Sequence, residues 1–332
     1  MKKGYVTFFG IFILVNILFV NLNATIADLF NDETLIISNF PETIHSPGLI
    51  FEKEIEKSSM RIMYHHKNSN SKTLTLIVSI SNKSDESIKF DLQYGLGGSS
   101  KDVVFAGHKS AKSFMQQLLL KPHQMTLPAK STAVIVKHAI KSNEVSSGHI
   151  RISSFKHNNL SVKMGVIDEE YPQLSLFKDV PSLANQFKVI QADKSKIDIN
   201  KSFDCEDKID AIEIGGKPYI KDITNKYAFM GNYAVMYAVN LTLTNSLFKS
   251  NEIKLFFSPK KENAIDRGVI ILNNEVKEIG MLTNKQNIIT MENFFSTVLK
   301  PSETKNVSFL LFPQAGCYYP IDIIIKSDER LL

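Results

Sequence analysis

The sequence predicts an all-β protein: two immunoglobulin-like antiparallel β-sandwich domains, with one short helix in the first. Three observations carry this reading. Apolar and polar residues alternate over short runs, the period of a half-buried strand. Polar turns separate the runs at regular spacing. The same order of elements is also written twice along the 332 residues.

The first stretch, "MKKGYVTFFGIFILVNILFVNLNATIA", has the form of a secretory signal. Lys2 and Lys3 start it, a charge-free run extends from Tyr5 to Val20, and Thr25 and Ala27 sit at −3 and −1 of a cut after residue 27. The run falls short of the ~20 residues that span a bilayer, and Asn16 interrupts it. An uncleaved N-terminal anchor is the alternative, and it is the one membrane attachment this reading offers. The chain therefore reads as secreted or associated with the cell envelope. The expected division is a signal over 1–27, an N-terminal segment over 28–47 and a first sandwich over 48–170. A linker over 171–201 and a second sandwich over 202–332 complete it.

In the first sandwich, Leu74, Leu76, Val78 and Ile80 share a face, and Thr75, Ser79 and Ser81 take most of the other. The turn "NKSDES" leads to a strand with Ile88, Phe90 and Leu92. The plan returns with Tyr237, Val239, Leu241 and Leu243, a strand-ending Asn245, and then Ile253, Leu255 and Phe257. Each half continues with Leu-Lys-Pro, a polar link and a β-branched strand: "LLLKPHQMTLPAKSTAVIVKHAI" and "STVLKPSETKNVSFLLFPQAG". Such a unit satisfies neither sheet face alone, so two antiparallel sheets bury their apolar faces together. The helix is "HKSAKSFMQQLLL", with Ser110 as N-cap, Phe114, Met115 and Leu118 as its apolar stripe and Pro122 as its stop. It is expected to cover one end of the first sandwich.

The formal charge of +5 falls to +3 once the two signal lysines are removed, and the remaining basic residues are scattered. That gives nucleic acid no support as a partner. The two cysteines, Cys205 and Cys317, read as one disulfide of an exported protein, worth about 4–5 kcal/mol in the chain-entropy model. Two buried free thiols are the alternative.

All eight histidines lie between His45 and His157. A metal site would use His65 or His66 with His108 or His123. On a strand, however, His65 and His66 point to opposite faces, so one ion cannot take both. Polar surface and turn histidines are the plainer reading. The stretch "YGLGGSSKDVVFAGHKSAKSF" combines glycines, serines and a helix start, which can cradle an anion through free backbone N–H groups. Its candidate ligand-binding residues are Asn68, Tyr94, Gly97, Gly98, His108 and Lys109. The plainer reading is a tight loop in which Gly95, Gly97 and Gly98 allow positive φ. "DINKSFDCED" begins like a calcium loop but carries Phe203 and Ile209 at the two specifying positions.

The enzyme search is mostly negative. GxSxG, HExxH and CxxC are absent, carboxylate pairs fall in polar turns, and Trp does not occur. No catalytic residue and no cofactor is assigned. The expected function is a non-catalytic binding or structural protein of the cell envelope or extracellular space, its partner a cell-wall polymer or another envelope protein. The alternatives are a wall- or polysaccharide-active enzyme with a site at the 95–110 loop, and a metal-binding envelope protein using the first-domain histidines.

"GNYAVMYAVNLTLTN" at Gly231–Asn245, followed by "LKPSETKNVSFLLFP", resembles the C-terminal part of a family of secreted bacterial proteins of unknown function common in cyanobacteria. "MYHHKNSNSKTLTLIVSISN" and "VVFAGHKSAKSFMQQLL" are similar to its His-His and Ala-Gly blocks. This chain has Ala234 where that pattern has glycine, and "PSET" in place of a glycine-containing turn. The resemblance implies two β-sandwich-like halves and export, and it implies no chemistry.

Overall fold

Among the described residues, twelve elements make up the first half of the computed structural model. They are β1 (Glu33–Ser38), β2 (Thr43–Ile44), β3 (Gly48–Glu54), β4 (Ser59–Asn68), β5 (Leu74–Asn82), β6 (Ile88–Ser100), helix α1 (Val103–Leu118), β7 (His123–Leu127), β8 (Thr132–Ile140), β9 (Val145–Ser153), β10 (Leu160–Asp168) and β11 (Val189–Ala192). The second half continues with β12 (Lys196–Asp204), β13 (Ile209–Ile214), β14 (Met236–Thr244), β15 (Asn251–Pro259), β16 (Ile265–Leu272), β17 (Glu275–Lys285), β18 (Ile288–Ile289), β19 (Glu292–Leu299), β20 (Thr304–Leu311) and β21 (Ile321–Glu329). The structure describes residues 26–39, 43–153, 159–168, 181–224, 227–286 and 288–329. The signal expected over 1–27 lies almost wholly outside these residues, as does the linker's start at Tyr171.

Each half is a pair of sheets. In the first, β11-β1-β4-β9-β6-β7, with β2 also on β4, faces β3-β10-β5-β8. In the second, β12-β14-β20-β16-β17-β18 faces β13-β21-β15-β19. The chain is therefore all-β and sandwich-like, as its alternation predicts. Most neighbours are antiparallel, while β1 and β2 run parallel to β4 and β12 parallel to β14. Leu74, Leu76, Val78 and Ile80 pack with Ile88, Phe90 and Leu92 in the first core. Tyr237, Val239, Leu241 and Leu243 pack with Ile253, Leu255 and Phe257 in the second. β1 falls within the stretch set apart as an N-terminal segment, and β11 and most of β12 fall within the stretch set apart as a linker.

One device ends a strand three times. Asn82 donates from Nδ2 to the carbonyls of Glu86 at 2.7 Å and Pro128 at 2.9 Å, and accepts from the Ser84 amide at 2.9 Å. Asn245 does the same with Lys249 at 2.8 Å, Leu299 at 3.0 Å and the Leu247 amide at 3.2 Å. Asn68 repeats it with Lys72 at 2.9 Å, Ile140 at 2.8 Å and the Asn70 amide at 2.8 Å. A buried carboxamide that spends both donors and its acceptor on backbone closes a turn and ties it to a second strand.

Helix α1 does not cover an end of the first sandwich. It lies on the outer face of the first sheet, against β6 and β9, and its other side meets β16 and β17 of the second half. Ala111, Phe114, Met115 and Leu118 form one cluster with Met236, Ala238, Val269, Ile271, Leu310 and Phe312. The molecule is thus five layers: sheet, sheet, helix, sheet, sheet. Both faces of β4 and β9 are consequently buried.

Candidate functional site

The seam between the halves is built from glycine outward. A Cβ at Gly95 would overlap the Phe114 amide and the Ser110 carbonyl, and one at Gly97 would overlap the Ala106 carbonyl. Glycine here lets a helix lie directly on a strand. Only Gly98 of the three needs positive φ, at +71°, beside a register shift in β6. The expected 95–110 loop is therefore strand then helix, joined through Lys101 and Asp102. Asp102 caps the helix, its Oδ1 accepting from the Phe105 amide at 2.9 Å. Ser110, expected as the cap, sits buried in mid-helix, bonded to the Gly107 carbonyl at 2.8 Å and to Ser147 Oγ at 3.1 Å. The helix begins earlier than its propensity suggests because packing on Gly95 and Gly97 outweighs the weak Val-Val start.

Below the helix lies a desolvated ion group. Glu33 takes Arg61 Nε at 2.8 Å and Arg151 Nε at 3.1 Å, with Glu33 and Arg61 wholly buried. Arg61 also donates across the seam to the carbonyls of Ala234 at 2.6 Å and Ser195 at 3.1 Å. Arg151 reaches Gln93 Oε1 at 3.2 Å and the Leu29 carbonyl at 2.9 Å. The Phe30 ring lies 4.8 Å from the Arg61 guanidinium and 5.8 Å from that of Arg151. Charges this far from water persist only when fully paired, and here each finds several partners.

The same face carries histidines. His149 stacks on Phe114 at a centroid distance of 5.4 Å and is tilted against Phe312 at 4.7 Å, and burial pushes it down to about 3. Burial likewise pushes His65 down to about 4. At the seam's edge, His108 Nε2 meets Glu278 Oε2 at 3.1 Å, and Lys112 meets the other oxygen at 2.6 Å. Desolvation holds His108 below its ordinary value, against the pull of Glu278. Gln314 Nε2 lies 3.5 Å from His108 Nδ1 and 3.1 Å from Cys317 Sγ. Burial pushes the Cys317 thiol up to about 12 and the neighbouring Asp266 carboxyl up to about 6. A cavity of about 220 Å³ opens beside them, lined by Asn39, His65, Val103, Tyr233, Cys317 and Tyr318 among others.

A second hollow, of about 590 Å³, lies at the far end of the second sandwich between Cys205, Lys208, Lys249, Asn251, Ser327 and Glu329. Leu247 and Phe248 border it, and Phe248 is 99% exposed. The Asn245 clamp holds this loop at both sides through Leu247 and Lys249.

The predicted ligand-binding residues do not converge. Asn68 is consumed by its turn, Gly97 lies under the helix, and Tyr94 is exposed on β6. Gly98 leaves open space, Lys109 is exposed on the helix, and His108 turns to the second half. The metal set separates too. His66 faces the first core, with Nε2 3.0 Å from Ser38 Oγ and its ring against Phe187. His65 faces the seam and His123 is exposed on β7. Among the described residues, no group of three or more His, Cys, Asp or Glu could hold a metal ion. Both cysteines are buried free thiols. Cys205 follows the end of β12 that pairs with Thr244, whereas Cys317 follows the end of β20 that pairs with Tyr237. A strand length of roughly 20 Å separates them, far beyond disulfide reach. The sequence reading missed the Glu33–Arg61–Arg151 group and the Gln314–Cys317–His108 contacts. The visible trace was polar residues on strands whose apolar face was already accounted for.

No family model matches the chain, and no curated protein matches it. Among solved structures, Fet3p, a multicopper oxidase that functions in iron import, shares 9% identity over 75% of this chain at a TM-score of 0.13; the match spans half of the Fet3p chain. The N-terminal CBM22-1-CBM22-2 tandem domain from Paenibacillus barcinonensis Xyn10C shares 8% identity over 87% of this chain and 92% of its own, at 0.15. Lac15 from a marine microbial metagenome shares 9% over 86% of this chain and 60% of its own, at 0.13.

Proposed function

We propose that this chain is an exported, non-catalytic binding protein of the cell envelope or extracellular space. Its partner, a cell-wall polymer or another envelope protein, is taken at the 590 Å³ hollow of the second sandwich. The observation that carries this is Phe248, an aromatic ring left 99% in water on a loop that a buried asparagine holds in place. Leu247 and the exposed Phe248 give a partner an apolar border to cover beside the hollow, and binding residues tend to sit on loops held by rigid sandwiches. Lysines and acids both line the rim, which suits a polar polymer or polypeptide. The signal-like N-terminus is the support for export. The test is co-sedimentation of the purified chain with isolated envelopes of its host. Saturable pelleting that Phe248→Ser weakens at least tenfold, with an unchanged far-UV CD spectrum, is the expected outcome. Pelleting unaffected by that substitution, or none at all, would remove the reading.

A further inference from the structure

The loop "QAGC", Gln314 to Cys317, is where the seam's polar chemistry gathers. Its backbone is pressed onto the start of helix α1: a Cβ at Gly107 would overlap the Ala315 carbonyl, and one at Gly316, whose φ is +81°, would overlap the Val103 carbonyl. This docking brings three side chains from two halves together. Gln314 Nε2 is 3.1 Å from Cys317 Sγ and 3.5 Å from His108 Nδ1, with Gln314 and Cys317 both buried. The Gln314 carbonyl carbon lies one C–N bond of ~1.33 Å from that nitrogen, which places it within about 4.4 Å of the sulfur. His108 Nε2 is held by Glu278 at 3.1 Å. Two polar atoms here have no hydrogen-bond partner among the described residues: Gln314 Oε1 and Asp266 Oδ2. Each such orphan costs roughly 1–3 kcal/mol, so a native site that keeps two calls for a reason.

We propose that Cys317 and Gln314 form an internal thioester, which then transfers the Gln314 acyl group to a primary amine. The sulfur attacks the side-chain carbonyl carbon, the S–C bond forms, the C–N bond breaks and ammonia departs. The thiol proton and the departing nitrogen balance without any redox change. The sulfur is fixed by the Arg267 backbone, whose N–H lies at 3.4 Å and whose carbonyl oxygen lies at 3.8 Å, and the Asp266 carboxylate holds the loop through the Tyr318 amide at 2.7 Å. His108 Nδ1, 3.5 Å from the Gln314 amide nitrogen, accepts from it and orients it, its Nε2 being held by the half-exposed Glu278. The thiol proton leaves on the departing ammonia. The protonated thiol favours the product, because a basic sulfur holds an acyl group better than an acidic one, while burial keeps water from the new bond. The orphan amide is thereby exchanged for a weakly polar thioester. The 220 Å³ cavity beside Cys317, bordered by half-exposed Tyr318, admits a small amine. Attack by that amine forms an amide and returns the thiol. This goes beyond the docking reading and holds whatever the loop end of the second sandwich binds.

The experiment is intact mass spectrometry of the full chain, alkylated with iodoacetamide in acidic denaturant followed by rapid neutralisation. The expected species is lighter than the sequence by one ammonia, with Cys205 as the one alkylated cysteine. Incubation with methylamine is expected to add one methylamine at Gln314 and to release a second alkylatable thiol. Deamidation of Gln314 that vanishes in Cys317→Ala would report the same thioester after hydrolysis. Gln314→Asn, which keeps the amide but withdraws it by one methylene, is expected to show neither product. An intact Gln314 amide with two alkylatable thiols in the freshly isolated native chain overturns the proposal, whether or not either variant folds.

Discussion

Arg61 donates from Nη1 to the carbonyl oxygen of Ala234 at 2.6 Å, so a charge carried by the first sandwich closes a turn of the second. The same guanidinium holds Glu33, which also serves Arg151. Removing Arg61 alone strands half of a buried carboxylate and two carbonyls. Arg61→Ala is therefore expected to cost about 3–5 kcal/mol, read as the shift in urea midpoint. Replacing Glu33, Arg61 and Arg151 together by apolar residues of similar volume is expected to cost less than the single change. A triple variant worse than the single one would show the ions stabilise beyond their own mutual need.

Ala234 itself holds φ at +64° while fully buried. Left-handed backbone costs an L-residue roughly 1–2 kcal/mol, and glycine escapes most of it. Ala234→Gly is expected to raise the melting temperature by about 1–4 °C. A fall in melting temperature would mean the lost methyl packing outweighs the relief.

Gly97 and Gly98 are adjacent but need glycine for different reasons. Gly97→Ala sets a methyl against the Ala106 carbonyl and must lift the helix off β6, while Gly98→Ala meets nothing and suffers only its φ of +71°. The expected costs are about 3 kcal/mol or more for the first and about 1 kcal/mol for the second, by thermal or urea unfolding. Equal costs would refute the close-packing account of the helix.

Acid should loosen the seam. His65 and His149 titrate at about 4 and about 3 when folded, against ~6.5 unfolded. Below pH 6.5 the unfolded chain binds protons that the folded one refuses, so stability falls with pH. From pH 7 to 5 each histidine removes about 2 kcal/mol. Asp266 acts in the opposite direction: its folded value near 6 exceeds that of the unfolded chain, so it regains part of this loss as it protonates. The net expectation is a lower urea midpoint at pH 5 than at pH 7, with a shallower dependence in His149→Phe. A flat profile would place these histidines in water.

Asn245→Ala leaves the carbonyls of Lys249 and Leu299 and the Leu247 amide without their side-chain partner. About 2–4 kcal/mol of stability is expected to go with it. The Phe248 loop should exchange its amide hydrogens faster, a local effect that hydrogen exchange resolves even where global stability suffices.

The two sandwiches were legible because period-2 alternation reports a core directly. Leu74 through Ile80 and Tyr237 through Leu243 lie where their spacing puts them. What was hidden is the fate of the other face. On β4, Arg61 and His65 alternate with Ile62, Tyr64 and His66, and a polar side chain reads the same whether it meets water or a second sandwich. Gly95 and Gly97 have the composition of a loop because close approach and positive φ call for the same residue. Ser110 has the chemistry of a cap, yet Asp102 caps the helix and Ser110 reaches across to Ser147. The disulfide reading failed on distance, which cysteine count does not encode.

The helix between the sheets also sets an order of assembly. Synthesis makes the first sandwich whole by β11, but the roof over helix α1 comes from strands made later. Through that interval Glu33, Arg61 and Arg151 can find one another while still hydrated, and Phe114 waits uncovered. Docking of the second sandwich is the step that takes the remaining water from this group. Until then the first sandwich is a half-built particle with one greasy, charged face.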